Sequence, residues 1–294
     1  MPQNTISLKM TPEQSDQLRS TWQDDAVFPA SLPPYAAWQM KLENCQITCY
    51  SSGKVVFQGK DAEVYASPFL QPAADEPEPK SAVILPQAGS DEVGTGDYFG
   101  PVCVCATIVQ PQQLALLQQL GVRDSKALND TDIRRIAPEL MKTLTYSLLI
   151  VDNAKYNQVH AVSNMNAVKA LLHNQAYVNL SRKAELPSFR IIDQFAEEPI
   201  YYHYLKKEPV VIRGIHFETK AENKYPAVGA ASVIARYAFL ISMDEMEKKY
   251  EMHFQKGAGT AVDHDAAAFV QRYGFDRLGE VAKLHFKNTE RIKR

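Results

Sequence analysis

Hydrophobic and polar residues follow two different patterns along the chain, and the change falls near residue 80. The first part holds short alternating runs, which are typical of strands with one buried face. Thr11 followed by Pro12 suits a helix start, because a capping side chain precedes a proline at the first helical position. We predict a small α+β module with an antiparallel sheet, formed by strands at residues 5–10, 37–50, 54–57 and 63–65 and a helix at 11–22.

Beyond residue 82, apolar runs with strand character alternate with longer segments of helical spacing. Met165, Val168, Leu172 and Ala176 recur at helical spacing behind Asn164, which suits a cap. Such alternation is typical of an α/β domain, so we predict a central mixed sheet flanked by helices, whose first two strands form a hairpin. The predicted strands are 82–90, 102–109, 146–151, 189–193 and 210–215, and the predicted helices are 111–120, 131–142, 164–182, 226–249, 263–273 and 276–285.

A segment rich in proline and acidic residues, at 68–80, separates the two patterns. It lacks periodicity, which is typical of a linker. A chain of 294 residues is long enough for one large and one small domain. We therefore predict domains at residues 1–70 and 83–294, joined by a linker at 71–82.

The composition, with 45% hydrophobic and 22% charged residues, is that of a globular protein. We identify no apolar run of the length that spans a bilayer and no secretion signal, so we expect a cytoplasmic protein without a membrane partner. Cys45, Cys49, Cys103 and Cys105 have no partners at zinc-ligand spacing. The last two alternate with valines, as thiols do in a buried strand.

The formal net charge of -2 at first argues against a nucleic-acid ligand. Residues 1–80 hold 6 basic and 10 acidic residues, a balance of -4, which leaves +2 for residues 81–294. Because the acidic excess lies in the first part, the second part remains compatible with such a ligand. Its basic tail predicts either a phosphate-contacting patch or a solvated helix end, formed by Lys283, Lys287, Arg291, Lys293 and Arg294.

Two adjacent carboxylates, Asp91 and Glu92, interrupt an apolar strand and are followed by Gly94, Gly96 and Gly100. Neighbouring side chains of a strand point to opposite faces, so the two acids share a site only if the strand ends or bends there. Glycines permit such a bend and allow backbone N–H groups to approach a sugar or phosphate. The alternative is a solvent-exposed turn.

Two further acids stand where α/β proteins build sites. Asp193 ends an apolar run, at the carboxyl end of a predicted core strand. Glu222 lies just before the helix that begins at Pro226, in a field that favours anions.

Four segments, in sequence order, resemble the type 2 ribonucleases H. They are Asp91-Glu92-Val93-Gly94, Arg123-Asp124-Ser125-Lys126, Ile192-Asp193, and Glu222-Asn223-Lys224-Tyr225-Pro226 with the Ala-Ala-Ser-Val-Ile-Ala-Arg block behind it. Each motif is weak alone, but four in order are specific. Ribonuclease HII proteins usually have Gly-Arg-Gly after the acidic pair and aspartate as the fourth acid. The Gly-Thr-Gly at 94–96, Glu222 and the front module, which resembles the TATA-box-binding-protein-like domain of ribonuclease HIII, favour the HIII branch.

The resemblance implies a ribonuclease H-like fold and an endonuclease that cuts the RNA strand of RNA/DNA hybrids, leaving 3′-hydroxyl and 5′-phosphate ends. It implies that Asp91, Glu92, Asp193 and Glu222 are the catalytic acids and the ligands of two Mg²⁺ ions, with Mn²⁺ as a substitute. Glu218, one helical turn away, is the alternative fourth acid.

The resemblance also indicates substrate-binding groups. The backbone of Gly94, Thr95 and Gly96 would recognise the 2′-hydroxyl of RNA, and Ser125 and Lys126 would contact phosphate. An exposed lysine at a helix start is the alternative for Lys126. Without an arginine in the glycine motif, we expect poor recognition of a single ribonucleotide in DNA. We expect the front module to help bind the hybrid and the protein to be a monomer.

Two other functions stay open at this point: ribonuclease HII-type incision at single ribonucleotides, and a non-catalytic nucleic-acid-binding protein whose acids are structural.

Other polar residues favour structural interpretations. Asp263-His264-Asp265 suits a capped surface helix, and His173 and His285 suit packed or surface positions. Ser232 has no histidine partner in the sequence pattern, which argues against serine hydrolase chemistry.

Overall fold

The computed structural model describes residues 5–70, 84–122 and 128–292. In chain order, its strands and α-helices are β1 (Thr5–Lys9), α1 (Pro12–Trp22), β2 (Ala36–Leu42), β3 (Cys45–Tyr50), β4 (Lys54–Gly59), α2 (Ala62–Ala66), β5 (Gln87–Val93), β6 (Val102–Val109), α3 (Leu114–Gln119), α4 (Asp130–Thr143), β7 (Thr145–Val151), α5 (Asn153–His160), α6 (Met165–Ser181), β8 (Phe189–Asp193), α7 (Glu198–Tyr204), β9 (Ile215–Glu218), α8 (Ala221–Lys224), α9 (Pro226–Tyr250), α10 (Thr260–Tyr273) and α11 (Lys287–Ile292).

The chain forms two compact units. Unit 1 comprises Met1–Ser81 and Ala196–Lys206, and unit 2 comprises Ala82–Phe195 and Lys207–Arg294. The sequence-based boundary placed residues 196–206 in the second domain, whereas their helix α7 packs with unit 1.

Unit 1 is a four-stranded antiparallel sheet of order β1-β4-β3-β2 with α1 packed on it. The predicted cap of α1 is present, since the Thr11 side chain accepts a hydrogen bond from the Gln14 N–H. Leu18 and Trp22 of α1 are buried in the core, and α7 contributes Ile200 to it. Unit 1 therefore has its own hydrophobic core.

Two predictions for unit 1 were wrong in detail. Residues 63–65 lie in α2, because the buried residues Ala62, Tyr65 and Ala66 recur at helical spacing. Residues 37–50 form two paired strands, β2 and β3, instead of one run.

Unit 2 contains a five-stranded mixed sheet of order β7-β6-β5-β8-β9. The predicted hairpin is confirmed, because β5 and β6 pair antiparallel. Strands β5, β8 and β9 run parallel, so their carboxyl ends lie at one edge. Every residue of β6 is buried, including Cys103 and Cys105, which are free thiols in the core.

Helices α9 and α6 cover opposite faces of this sheet. A Cβ at Gly89 would overlap the backbone of α9 at Ala227 and Val228, so only glycine permits this close approach. The next residue, Ser90, points the other way and bonds to His173 of α6. Each face of the central strand therefore meets a different helix.

Helix α9 corrects our expectation that no apolar run reaches bilayer length. By length and hydropathy it could cross a membrane, but 72% of its most apolar window is buried inside the protein. Its apolar residues are buried all round, as expected for a helix enclosed by a core.

The strand predicted at 210–215 begins only at Ile215. The Asn174 side chain donates to the Val210 carbonyl at 2.8 Å and accepts from the Ile212 N–H at 2.9 Å, which replaces strand pairing there. Gly214, with φ of 67°, then separates this segment from β9.

The helix predicted at 276–285 was also wrong. A 3₁₀ helix covers Phe275–Glu280, and the chain beyond it pairs with the turn between β5 and β6. The Gly100 N–H donates to the Val281 carbonyl at 3.1 Å and the Lys283 N–H to the Tyr98 carbonyl at 2.9 Å. Backbone pairing to a distant segment has replaced helical bonds.

Candidate active site

Two of the predicted acids, Asp91 and Asp193, lie at the carboxyl ends of the neighbouring strands β5 and β8. Ser90 and Ile192 pair in register on these parallel strands, so the residues that follow them, Asp91 and Asp193, come side by side. Residues in register on neighbouring strands project from the same face. The sheet thus brings together two carboxylates that are about a hundred residues apart in sequence.

Asp91 and Glu92 project from opposite faces, since β5 continues through both residues to Val93. The bend that we expected between them is absent. Asp91 faces α9, where the Ser232 side chain donates a hydrogen bond to its carboxylate. Glu92 faces α6 and bonds to His173. The two acids therefore have separate surroundings at the same strand end.

Glu92 is held by two side chains of α6. The Nε2 atom of His173 donates to Oε2 of Glu92 at 2.8 Å, and Lys169 forms an ion pair with Oε1. The Lys169 ammonium also lies 4.2 Å from the ring centre of Phe195. Burial opposes ionisation of Glu92, but His173 and Lys169 hold its pKa at about 2. Glu92 is therefore a fixed carboxylate at neutral pH.

The surroundings of Asp91 disfavour its ionised form, whereas those of Glu92 favour ionisation. Burial and the negative charges of Glu92 and Asp193 raise the pKa of Asp91 well above its usual value, against the hydrogen bond from Ser232. The carboxylate is only 7% exposed. A cluster that disfavours its own negative charge in this way is suited to a cation.

Glu218 and Glu222, the two candidates for the fourth acid, differ in their contacts. Glu218 accepts hydrogen bonds from Lys224, Tyr225 and His216. Partial burial opposes ionisation of Glu218, but those three bonds hold its pKa at about 2. Glu222 is buried in the first turn of α8.

The chain next to Glu222 is fixed to Asp193. The N–H of Ala221, the residue before Glu222, donates to Oδ1 of Asp193 at 2.8 Å. This bond joins the start of α8 to the carboxyl end of β8, where the other acids lie.

The glycine turn, residues 94–101, follows directly after the acidic pair. Gly94 has φ of 96°, and a Cβ there would overlap the Pro101 carbonyl oxygen, so this position requires glycine. Thr95 is half-buried. Gly96 is exposed, with no atom within 4 Å of the place where a Cβ would stand. A ligand can therefore approach the backbone closely at Gly96.

Some predicted site residues are not placed by the structure. Ser125 and Lys126 lie outside the described residues. Within residues 5–70, 84–122 and 128–292, no three His, Cys, Asp or Glu side chains already converge as the ligands of one metal ion do. Glu92 is turned away from Asp91, towards Lys169 and His173.

The basic tail is not a continuous phosphate-binding patch in the described residues. Lys283 is fully buried, and Arg291 pairs with Asp263 at 2.6 Å. Asp263 lies in the first turn of α10, which begins at Thr260 behind Gly259, so the interpretation of Asp263-His264-Asp265 as a helix cap was wrong. Lys293 and Arg294 lie outside the described residues.

His173, Lys169 and Ser232 are the contacts that sequence reasoning missed. His173 was interpreted as a packed or surface residue, and it is fully buried, but it contacts a predicted catalytic acid. The available signal was a polar residue on an otherwise apolar helix face. That signal does not distinguish a histidine that only packs in the core from one that contacts a catalytic acid. Ser232 bonds to Asp91 instead of a histidine.

Comparisons with known proteins agree with this architecture. The sequence model of the ribonuclease HII family matches residues 88–289, and a domain of unknown function, DUF3378, matches residues 5–82. Ribonuclease HIII of Bacillus pumilus is 41% identical over 100% of this chain and 99% of its own length. Ribonuclease HIII of Bacillus subtilis is 40% identical over 98% of this chain and 96% of its own. A crystal structure of Bst-RNase HIII in complex with Mn²⁺ superposes with a TM-score of 0.71 at 38% identity, covering 99% of this chain and 98% of that one.

The mixed sheet with acids at the ends of its central strands defines a ribonuclease H-like nuclease. The chain belongs to the ribonuclease HII family and, by its full-length relatives, to the ribonuclease HIII branch. It is a ribonuclease H, an endonuclease that acts on RNA/DNA hybrids.

Proposed function

We propose that this ribonuclease H hydrolyses the RNA strand with divalent cations held by Asp91, Glu92, Asp193 and Glu222, giving 3′-hydroxyl and 5′-phosphate ends. The observation that carries the proposal is that Asp91 and Asp193 directly follow the paired residues Ser90 and Ile192 on adjacent parallel strands. Burial, with the negative charges of Glu92 and Asp193, raises the pKa of Asp91 there. When bound, such cations supply a deprotonated water near neutral pH and neutralise the charge on the leaving 3′ oxygen.

The donor set fits a hard divalent cation. Carboxylate oxygens are the ligands that Mg²⁺ and Mn²⁺ prefer. A cation beside Asp91 and Asp193 would also relieve the repulsion between them. We propose Mg²⁺ as the usual ion and Mn²⁺ as a substitute, which the Mn²⁺ complex of Bst-RNase HIII supports.

The four acids have different tasks in this proposal. Asp91, which lies beside Asp193, would contribute to holding both cations, and Glu92, Asp193 and Glu222 would supply the remaining carboxylates. Lys169 and His173 keep Glu92 ionised and in one orientation, as groups around metal ligands commonly do. Glu222 is preferred to Glu218 as the fourth acid, because three hydrogen bonds already occupy the Glu218 carboxylate.

Recognition of RNA would use the glycine turn. Half-buried Thr95 and exposed Gly96 lie three and four residues beyond Glu92, close in sequence to the acids. N–H and carbonyl groups there, with Gly94 shaping the turn, would contact the 2′-hydroxyl. We further propose that Ser125 and Lys126 contact phosphate.

Unit 1 is proposed to bind the hybrid with the outer face of its sheet. An open depression there is lined by Tyr35, Tyr50 and Lys54, which combine aromatic surface with positive charge. Deleting residues 1–80 would be a poor test, because Ile200 of α7 packs in the core of unit 1 and would be uncovered. Lys54→Met should instead raise the Kd for hybrid with little change in kcat, whereas an unchanged Kd would reject this role.

The reaction is tested with two labelled substrates, a uniform RNA/DNA hybrid and a DNA duplex with one ribonucleotide, each with Mg²⁺, with Mn²⁺ and with a chelator. We expect metal-dependent cutting of the hybrid and weak cutting of the single ribonucleotide. Preference for the single ribonucleotide would favour ribonuclease HII-type incision. We propose a monomer in the cytoplasm, and gel filtration with light scattering would test the oligomeric state.

A further inference from the structure

Lys283 is a buried lysine that bonds to the glycine turn. Its Nζ donates to the carbonyl oxygens of Asp97 at 2.8 Å and Gly100 at 2.5 Å, and the residue is fully buried. Its backbone N–H donates to the Tyr98 carbonyl at 2.9 Å. One residue from the C-terminal part of the chain thus bonds to three carbonyl groups in the second half of the turn.

Other contacts hold the same half of the turn. The Asp97 carboxylate accepts from the Gly257 N–H at 2.6 Å, and the Tyr98 hydroxyl bonds to the Thr289 hydroxyl at 2.9 Å. The first half is different, because Gly96 is exposed and open. The turn therefore has one anchored side and one accessible side.

A buried amine at this position is energetically expensive. Burial lowers the pKa of Lys283 to about 7, although the negative charge of Asp97 opposes the shift. Methionine has a similar length and would avoid the desolvation cost, but it would leave carbonyl groups of the turn without these donors. The hydrogen bonds that Lys283 donates are what distinguishes it from an apolar residue here.

We propose that Lys283 is a positioning residue that fixes the glycine turn in the conformation that receives the RNA strand. The inference rests on the proposed role of that turn in substrate binding. Lys283 does not touch substrate; it acts by restraining the backbone between Asp97 and Gly100, next to the exposed Gly96. The sequence pattern suggested Lys283 for direct phosphate contact; in this proposal Lys283 acts on the substrate indirectly, through the turn.

The experiment compares the full-length parent with K283M and with K248M, which removes an exposed lysine in the last turn of α9. Steady-state kinetics on the hybrid separate KM from kcat, and hydrogen exchange reports the Tyr98 and Gly100 amides, whose partners are Gly257 and Val281. For K283M we expect KM to rise about tenfold with kcat within about threefold, and faster exchange at both amides. K248M should match the parent in both measurements.

T289V removes the bond to the Tyr98 hydroxyl, so it loosens the same turn by a milder change. We expect a KM increase of about threefold, and this variant carries the test if K283M does not fold. Unchanged KM and exchange in K283M, or in T289V when K283M is unfolded, would overturn the proposal, as would a loss of kcat alone. If the parent does not cleave hybrid, the proposed function has failed, and the exchange data still decide whether Lys283 restrains the turn.

Discussion

The His173 imidazole joins two side chains on one face of β5: its Nε2 lies 2.8 Å from Oε2 of Glu92, and its Nδ1 lies 2.7 Å from Oγ of Ser90. Both His173 and Ser90 are fully buried. The order serine, histidine, glutamate resembles a hydrolase triad, but the serine is closed to any substrate. The arrangement instead fixes the orientation of Glu92.

His173→Ala should therefore lower hybrid cleavage by about 10–100-fold, because Glu92 loses the group that orients it. The change removes no proposed metal ligand, so higher Mg²⁺ concentration should recover part of the rate. A metal titration of the initial rate measures this.

His253→Ala is the matched control, since His253 is 75% exposed and pairs with Glu247 away from the acids. Its rate should equal that of the parent. A His173→Ala variant as active as this control at every metal concentration would contradict the positioning role.

Asp91→Asn should lower cleavage on the order of a thousand-fold, because a proposed ligand of both cations is lost. It should also raise the melting temperature in chelator at pH 7, since burial and the neighbouring charges of Glu92 and Asp193 raise the pKa of Asp91. A carboxyl group whose pKa is higher in the folded than in the unfolded state stabilises the fold fully at pH values below its unfolded-state pKa. This stabilisation is lost as the pH rises through the folded-state pKa.

The stability gap between Asp91→Asn and the parent should therefore widen from pH 4 to pH 7. Thermal unfolding at both pH values, without and with Mn²⁺, measures it, and Mn²⁺ should stabilise the parent more than the variant. The exposed substitution Asp276→Asn is the control. A variant less stable than the parent at both pH values would count against repulsion at Asp91.

Glu222→Gln and Glu218→Gln should separate the two candidates for the fourth acid. We expect Glu222→Gln to lose cleavage on the order of a hundred-fold with little change in stability. Glu218→Gln should mainly lower stability, because the neutral amide weakens the bonds to Lys224, Tyr225 and His216. Cleavage rates and melting temperatures of both variants distinguish the two candidates. A large loss of cleavage in Glu218→Gln with little loss in Glu222→Gln would make Glu218 the fourth acid.

Gly94→Ala should change folding stability, whereas Gly96→Ala should change substrate binding. Gly94→Ala should cost about 1–3 kcal/mol of folding free energy, since an L side chain is strained at φ of 96° and meets Pro101. Gly96→Ala meets nothing within 4 Å, so it should fold normally and raise the KM for hybrid. Urea unfolding and steady-state kinetics measure both effects. An unchanged KM in Gly96→Ala would remove this residue from substrate recognition.

Much of the fold followed from local patterns. Alternating strands and helices predicted the mixed sheet, and Thr11-Pro12 predicted the start of α1. Asp91 and Asp193 could be selected because a carboxylate within or at the end of an apolar strand needs a reason to be there. The segment at 210–215 was misassigned because its backbone bonds to the Asn174 side chain, a partner 36 residues away or more.

The sequence by itself determined which side chains carry charge, which strands are buried and where the chain must turn, because these depend on residue type and local periodicity. Only the tertiary structure decided that His173 and Lys169 hold Glu92 and that Lys283 holds the glycine turn. A histidine or lysine on a helix or loop has the same local pattern whether it packs, faces solvent or meets an acid. Its role depends on which distant segment the fold brings against it, and that is set by packing of the whole chain.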